Sequence, residues 1–293
     1  MKLITKFNLV LTGVLTISMA GTAILSYTLL QKHAREEIIH HAGIMMEAAL
    51  AIRNYTVSEI RPLLVPQMEE NFLPQSVPAY AATTNFNQLK KAYPEYRYKE
   101  ATINPTNPDN LAVDWENGII QEFRDRPGLN ELVGIRTTPA GNSLYLARPI
   151  HVKNKACLSC HGQAANAPKS MLAKYGEVNG FGWKLHDVIG AQIISVPMSA
   201  SVEKVRQAFY TFMAAVIGIF VVTIVILNIM LQRIVIGPVT RIATIADQIS
   251  LGKLDAPEFR ETGKDEVSTL GASFNRLRRS LEKAMKMLEG GNI

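Results

Sequence analysis

The sequence predicts an α+β domain held between two membrane-spanning helices and followed by a dimeric helical bundle. Three observations predict it. Two apolar blocks, residues 7–30 and 208–231, are each long enough to cross a bilayer, which takes roughly 20 residues of helix. Between them, helical periodicity gives way to short alternating stretches typical of strands. After the second block, apolar residues return at three- and four-residue steps on two short segments. Helices that narrow bury their apolar faces only by assembling, as two copies, into a parallel four-helix bundle.

The first block follows Lys2 and Lys6 in a short terminus, residues 1–6. A cleaved signal peptide is the alternative, since Met19-Ala20-Gly21-Thr22-Ala23 offers small residues. The apolar run continues through Ile24, Leu25, Tyr27, Leu29 and Leu30, and a second span follows later, so an uncleaved anchor is preferred. Arg233 and Arg241 lie just after the second block. Cationic flanks mark the cytoplasmic side, which puts both termini in the cytoplasm and residues 31–207 outside it. The net charge of +6 contains no long Lys/Arg run, so nucleic-acid binding has no footprint.

From Gln31 a long amphipathic helix is expected, with Ile38, Ile39, Ile44, Met45, Met46, Ala49, Leu50 and Ile52 recurring at helical steps. Pro62, Pro66, Pro74 and Pro78 then predict a break in regular structure and an ordered surface wrap. Tyr96–Tyr98 reads as a strand, Ile103–Pro108 as a turn-rich segment, and Trp115–Phe123 as a helix with one apolar face. Leu132–Thr137 and Ser143–Ile150 read as strands around the hairpin signal Pro139-Ala140-Gly141-Asn142, and Val188–Val196 as a last strand. This order fits a PAS-like sensor fold, which would bury one face of its sheet.

Within that domain lies Cys157-Leu158-Ser159-Cys160-His161, which holds the only two cysteines of the chain. Two thiols at this spacing with a histidine directly after form the attachment pattern for c-type haem. Each thiol can add across a haem vinyl group, and His161 is then placed to ligate the iron as neutral imidazole. Three other readings compete. A thioredoxin-like redox pair opens a helix after a strand, whereas this motif follows an extended run and precedes Gly162 and a small-residue loop. A zinc site lacks a second cysteine pair. A plain disulfide is the third.

On the distal side of such a haem, Met45 and Met46 are candidates, a thioether being a soft ligand that raises the potential; both also suit an ordinary core. His40 and His41 are alternatives one to two turns earlier, and a vacant site would suit gas sensing. His33 lies near the membrane, His151 is constrained by its closeness to the motif, and His186 reads as a strand-edge residue. Arg53 and Arg148 can each meet a haem propionate through a bidentate guanidinium, or serve in a salt bridge. Tyr55 and Tyr145 read as core aromatics.

After the second span, Val239, Ile242, Ile245, Ala246 and Ile249 outline a helix ended by Gly252. A connector follows with Leu254, Pro257 and Phe259. Asp265-Glu266-Val267 opens a second helix with Leu270, Phe274, Leu277, Leu281, Met285 and Leu288 at heptad-like steps; a simple coiled-coil tail is the alternative. Pro238, Gly252 and the Asp265-Glu266 pair give residues 232–293 a resemblance to a HAMP domain, whose members relay motion from a membrane span to an output module.

The outer part resembles the haem-c-binding PAS-like domain of bacterial membrane sensors. Arg53-Asn54-Tyr55-Thr56, Asn104-Pro105-Thr106-Asn107-Pro108 with Trp115-Glu116, Arg148-Pro149-Ile150, the cysteine motif with Gly162, and Gly190-Ala191 carry that resemblance. It implies one covalent haem c and favours Met46, beside Glu47, as distal ligand. It also implies a two-pass protein of a bacterial cytoplasmic membrane. No histidine follows the second span, so a phosphoacceptor, kinase or other output module is expected on a separate cytoplasmic partner. The expected function is a homodimeric receptor passing a redox or small-gas signal through the second span. A membrane-anchored monohaem cytochrome that exchanges electrons with a redox partner is the alternative. No acid/base constellation points to an enzyme.

Overall fold

The computed structural model describes residues 1–68, 70–139, 141–253, 257–259, 263 and 265–290. One compact unit spans Tyr27–Phe209, and the other joins Met1–Ser26 to the chain from Tyr210 onward. Among the described residues two helices, one in each flank of the central domain, are long and apolar enough to cross a membrane.

Helix α1 covers Leu3–Tyr55, so the expected anchor and amphipathic helix are one continuous element of secondary structure. A π turn, Thr56–Ile60, links it to α2, Arg61–Leu64. Here the expected break in regular structure is corrected. Pro62 does not end the helix, because the widened turn before it absorbs the missing N–H and the ring's clash with the preceding turn. Pro66 and Pro74 sit in the first turns of short 3-10 segments, and Pro78 does the same for α3, Pro78–Ala92. A helix start has no use for that N–H, so these prolines begin elements that the sequence reading did not assign.

Strand β1 is Arg97–Thr102, followed by α4, Asp114–Asp125. Strands β2, Leu132–Thr138, and β3, Gly141–His151, form a hairpin; Ala140 of its turn lies outside the described residues. One turn of helix, α5, covers Leu158–His161, α6 covers Lys169–Tyr175, and β4 covers Val188–Pro197. The four strands form one antiparallel sheet in the order β1-β4-β3-β2.

Alternation along the strands divides the core in two. On one face Tyr98, Leu144, Leu146, Ile194 and Val196 meet Ile38, Ala42, Met46 and Ala49 of α1 and Ala82 and Phe86 of α3. The alanines let these helices lie close to the sheet. On the other face Ala101, Ala147, Ala191 and Ile193 meet Ile119, Ile120 and Phe123 of α4. The sequence expected one buried face; the apolar stripe of α4 covers a second. Full burial of a side chain such as Ile120 or Phe123 contributes roughly 1.5–3 kcal/mol.

Helix α7, Ser199–Met230, starts two residues after β4 and leads through a second π turn, Leu231–Ile236, into α8, Gly237–Ser250. Again a proline, Pro238, follows the widened turn. Asn8 and Asn228 exchange side-chain hydrogen bonds at 2.8 and 2.9 Å, which satisfies both amides between apolar helices. Gly252, at φ 86°, terminates α8 as expected. Asp265 caps α9, Glu266–Gly290, by accepting the Ser268 N–H at 2.8 Å. Ile245 and Ile249 pack on Phe274. In the connector, Asn275 holds both the N–H and the carbonyl of Phe259 at 3.1 and 2.8 Å. Leu254 and the side chain of Leu288 lie outside the described residues. Leu270, Leu277 and Leu281 are exposed on the single chain.

Candidate haem-attachment site

Strand β3 ends at His151, where a bulge interrupts its pairing with β4. Asn154 then turns the chain by accepting the Ala156 N–H at 2.9 Å, and Cys157 leads directly into α5. The sequence reading assigned no helix to the motif and a small-residue loop after it; the structure has a single helical turn at Leu158–His161. Residues three apart on such a turn lie on one side of it, which brings Cys157 and Cys160 together. Both are half-buried free thiols. The turn is too short to be the helix of a thioredoxin-like site.

His161 closes the turn and is the most constrained group in the motif. Its Nδ1 lies 2.7 Å from the Gly180 carbonyl, and its ring stacks on Trp183 at 4.0 Å between centroids, 15° from parallel. The two segments are also tied through the backbone: Gly182 N–H donates to the Gly162 carbonyl at 2.7 Å and Trp183 N–H to the His161 carbonyl at 3.1 Å. Gly180 in turn donates its N–H to Asn104 Oδ1 at 3.2 Å. Its φ of 87° favours glycine, and a Cβ there would overlap Thr106 Oγ1. The turn-rich segment 104–108 therefore braces the carbonyl that holds the histidine.

Burial pushes the His161 pKa down, and the bond to the Gly180 carbonyl only partly offsets it. The ring is thus favoured as neutral imidazole. With Nδ1–H donated to the carbonyl, the lone pair resides on Nε2, the tautomer a metal requires. Among the described residues no three His, Cys, Asp or Glu side chains gather to hold a bare metal ion. Two thiols and one oriented imidazole instead suit a metal that brings its own equatorial ligands, as in a porphyrin. The residues fit a haem c.

The remaining candidates are spread over the domain. Met46 is fully buried in the core between α1 and the sheet, with Met45 packed at its margin. His40 and His41 are exposed on α1, their rings 6.5 Å apart. Arg53 pairs with Glu100, and Arg148 bridges Glu47 at 2.6 Å and Glu131 at 2.9 Å. Both guanidiniums are thus in salt bridges, and Arg148 ties α1 to β3. His186 sits not on a strand edge but in the turn before β4, at φ 73°, with its N–H on the Val152 carbonyl at 2.9 Å. Sequence reasoning missed Asn104, Gly180 and Trp183 as supports of His161.

Residues 31–197 match the family model described as Tll0287-like, and residues 230–283 match the HAMP domain. Among solved structures, that of the cyanobacterial haem protein Tll0287 is 16% identical and covers 55% of this chain and 95% of its own, with a TM-score of 0.44. No curated protein matches the chain. The chain belongs to the Tll0287-like family, and a HAMP domain follows its second membrane-length helix.

Proposed function

We propose that the chain is a membrane-bound haem-c sensor that passes a redox or small-gas signal through α7 to its HAMP domain. The observation that carries this reading is the motif itself: two thiols on one turn, beside an imidazole whose Nδ1 is committed to the Gly180 carbonyl. Haem bound there supplies a one-electron couple and an iron able to take a small gas. Cys157 and Cys160 would hold it through their sulfurs, and the Nε2 of His161 would ligate its iron. Met46 is the distal candidate, since its thioether is wholly buried on α1; Met45, His40 and His41 are the alternatives. Arg53 and Arg148, both already paired, fix α1 to the sheet.

The path to the membrane is short. The loop bearing Gly180 runs into β4, and β4 runs into α7. Asp187, at the entrance of β4, accepts the Val152 N–H at 3.0 Å just before the motif. A shift of α5 therefore pulls on β4 through two backbone ties. The sensor domain lies outside a bacterial cytoplasmic membrane with both termini inside, the protein is a homodimer, and a separate cytoplasmic protein receives the signal.

The test is an alkaline pyridine haemochrome spectrum of membranes from cells with and without the c-type maturation machinery. A c-type band that survives denaturation, needs the machinery and vanishes in Cys160→Ala is expected. A haem-free protein in cells competent for maturation would overturn the reading.

A further inference from the structure

A second site lies at the other end of the sheet. A cleft of about 440 Å³ opens between α3, β1 and the start of α4. Lys90, Arg97 and Arg136 line it, and none of the three has an ion-pair partner among the described residues. Lys99 and Glu116, also in the wall, neutralise each other at 2.7 Å. Asp109 is the remaining carboxylate of the lining, so three cations face one anion. The wall carries flat apolar surface as well: Phe86 and Trp115 line it, and the Arg136 guanidinium lies 4.5 Å from the Trp115 ring centroid. Thr83 contributes a hydroxyl that is buried without a hydrogen-bond partner, a condition that costs free energy until a ligand relieves it.

The register explains why this cleft exists. Arg97, Lys99, Ile193, Ser195, Tyr145 and Arg136 fall on the sheet face that α4 covers. The buried apolar residues of α4, Ile119, Ile120 and Phe123, reach Ala101, Ala147, Ala191 and Ile193, while the end at Arg97, Ser195 and Arg136 meets α4 only at its start, where Trp115 lies against Arg136. Strand β3 passes this end at Tyr145, opposite Ser195, and reaches the motif only after His151. Six residues of strand separate the two, roughly 20 Å by strand rise.

We propose that this cleft binds a small organic carboxylate with a flat apolar body, an input separate from the haem motif. Guanidinium forks match a carboxylate in geometry as well as charge, and the aromatic wall takes the rest of such a molecule. The bound ligand touches Ser195, two residues before Pro197 and four before α7. It therefore acts where the sheet hands over to the second span.

The test is calorimetric titration of the full chain, in nanodiscs of zwitterionic lipid, with benzoate and phenylacetate, and with inorganic phosphate for comparison. The expected result is saturable binding of at least one carboxylate, one per chain, weakened tenfold or more in Arg97→Gln and in Arg136→Gln, with the haemochrome spectrum and Tm unchanged. Should either variant fail to fold, Arg136→Lys and Thr83→Val serve instead, each with a smaller loss. No binding of either carboxylate to the folded wild type, equal binding by the variants, or phosphate binding as tightly as the carboxylates would overturn the proposal. Haem is not the reporter, so that failure leaves the haem reading standing.

Discussion

Glu100 points into the core between α1 and the sheet, where an unpaired carboxylate could not survive. It is held by Arg53 from α1 and by the Tyr98 hydroxyl at 2.7 Å, which in turn takes a bond from Gln192 at 3.3 Å. Burial disfavours the charge on Arg53, yet Glu100 and Tyr98 more than restore it. Replacing Arg53 with alanine strands the carboxylate; the expected loss is about 3–5 kcal/mol, read as a fall in Tm that Glu100→Gln partly recovers in the double variant. Tyr98 gives a pH test. Burial, and then the Glu100 charge, hold its pKa far above the ordinary value. As pH rises past the unfolded tyrosine value of about 10, the unfolded chain releases this proton and the folded chain keeps it. Stability from Tyr98 is therefore complete below that pH and declines above it. Thermal unfolding between pH 8 and 11 should show a steeper alkaline loss in the wild type than in Tyr98→Phe; parallel curves would contradict the assignment.

At the scale of elements, the docking of the connector on α9 depends on Gly271, where a Cβ would run into the Phe259 ring. Alanine at an ordinary helix position gains about 1 kcal/mol over glycine. Overpacking costs about 1–3 kcal/mol, so Gly271→Ala should leave the bundle less stable despite better helix propensity. A thermal melt that moves upward would mean that Phe259 can step aside. Elements with a clean period were legible before any coordinates: β2, β3, β4 and α4 fall within a residue or two of their expected bounds. Helix α3 was not, because it buries only Ala82 and Phe86 and begins with a residue usually taken for a breaker. The site was legible in the same uneven way. Cys157, Cys160 and His161 are neighbours in sequence, but the Asn104–Gly180 bond spans 76 positions and the Arg53–Glu100 pair 47. No local pattern encodes a contact of that separation.

For the whole molecule, the exposed leucines of α9 are the strongest statement about assembly. Leu270, Leu277 and Leu281 are exposed while Phe274, between them on the same heptad face, packs on α8. A stripe half covered by its own chain leaves the rest for a second copy. Leu277→Cys, at 66% exposure in the single chain, is expected to cross-link to itself in membranes at high yield, with Arg276→Cys on the outer face far weaker. Cross-linking that differs between oxidised and reduced membranes would tie the bundle to the motif; an absence of cross-linked dimer would argue against the parallel bundle.

Two π turns occur among the described residues, one at Thr56–Ile60 and one at Leu231–Ile236, and each runs up to a proline two residues beyond it. A widened turn holds, in effect, one residue more than a tight one. Were the turn after α7 to wind back to ordinary pitch, the helix beyond it would rotate by about 100° and shift by about 1.5 Å along its axis, with no covalent change. Pro238 opposes that rewinding by withholding the hydrogen bond that ordinary pitch demands. The joint between span and bundle thus behaves like a screw thread with a stop: axial push and rotation are bound to one another, and the whole stroke is a single residue.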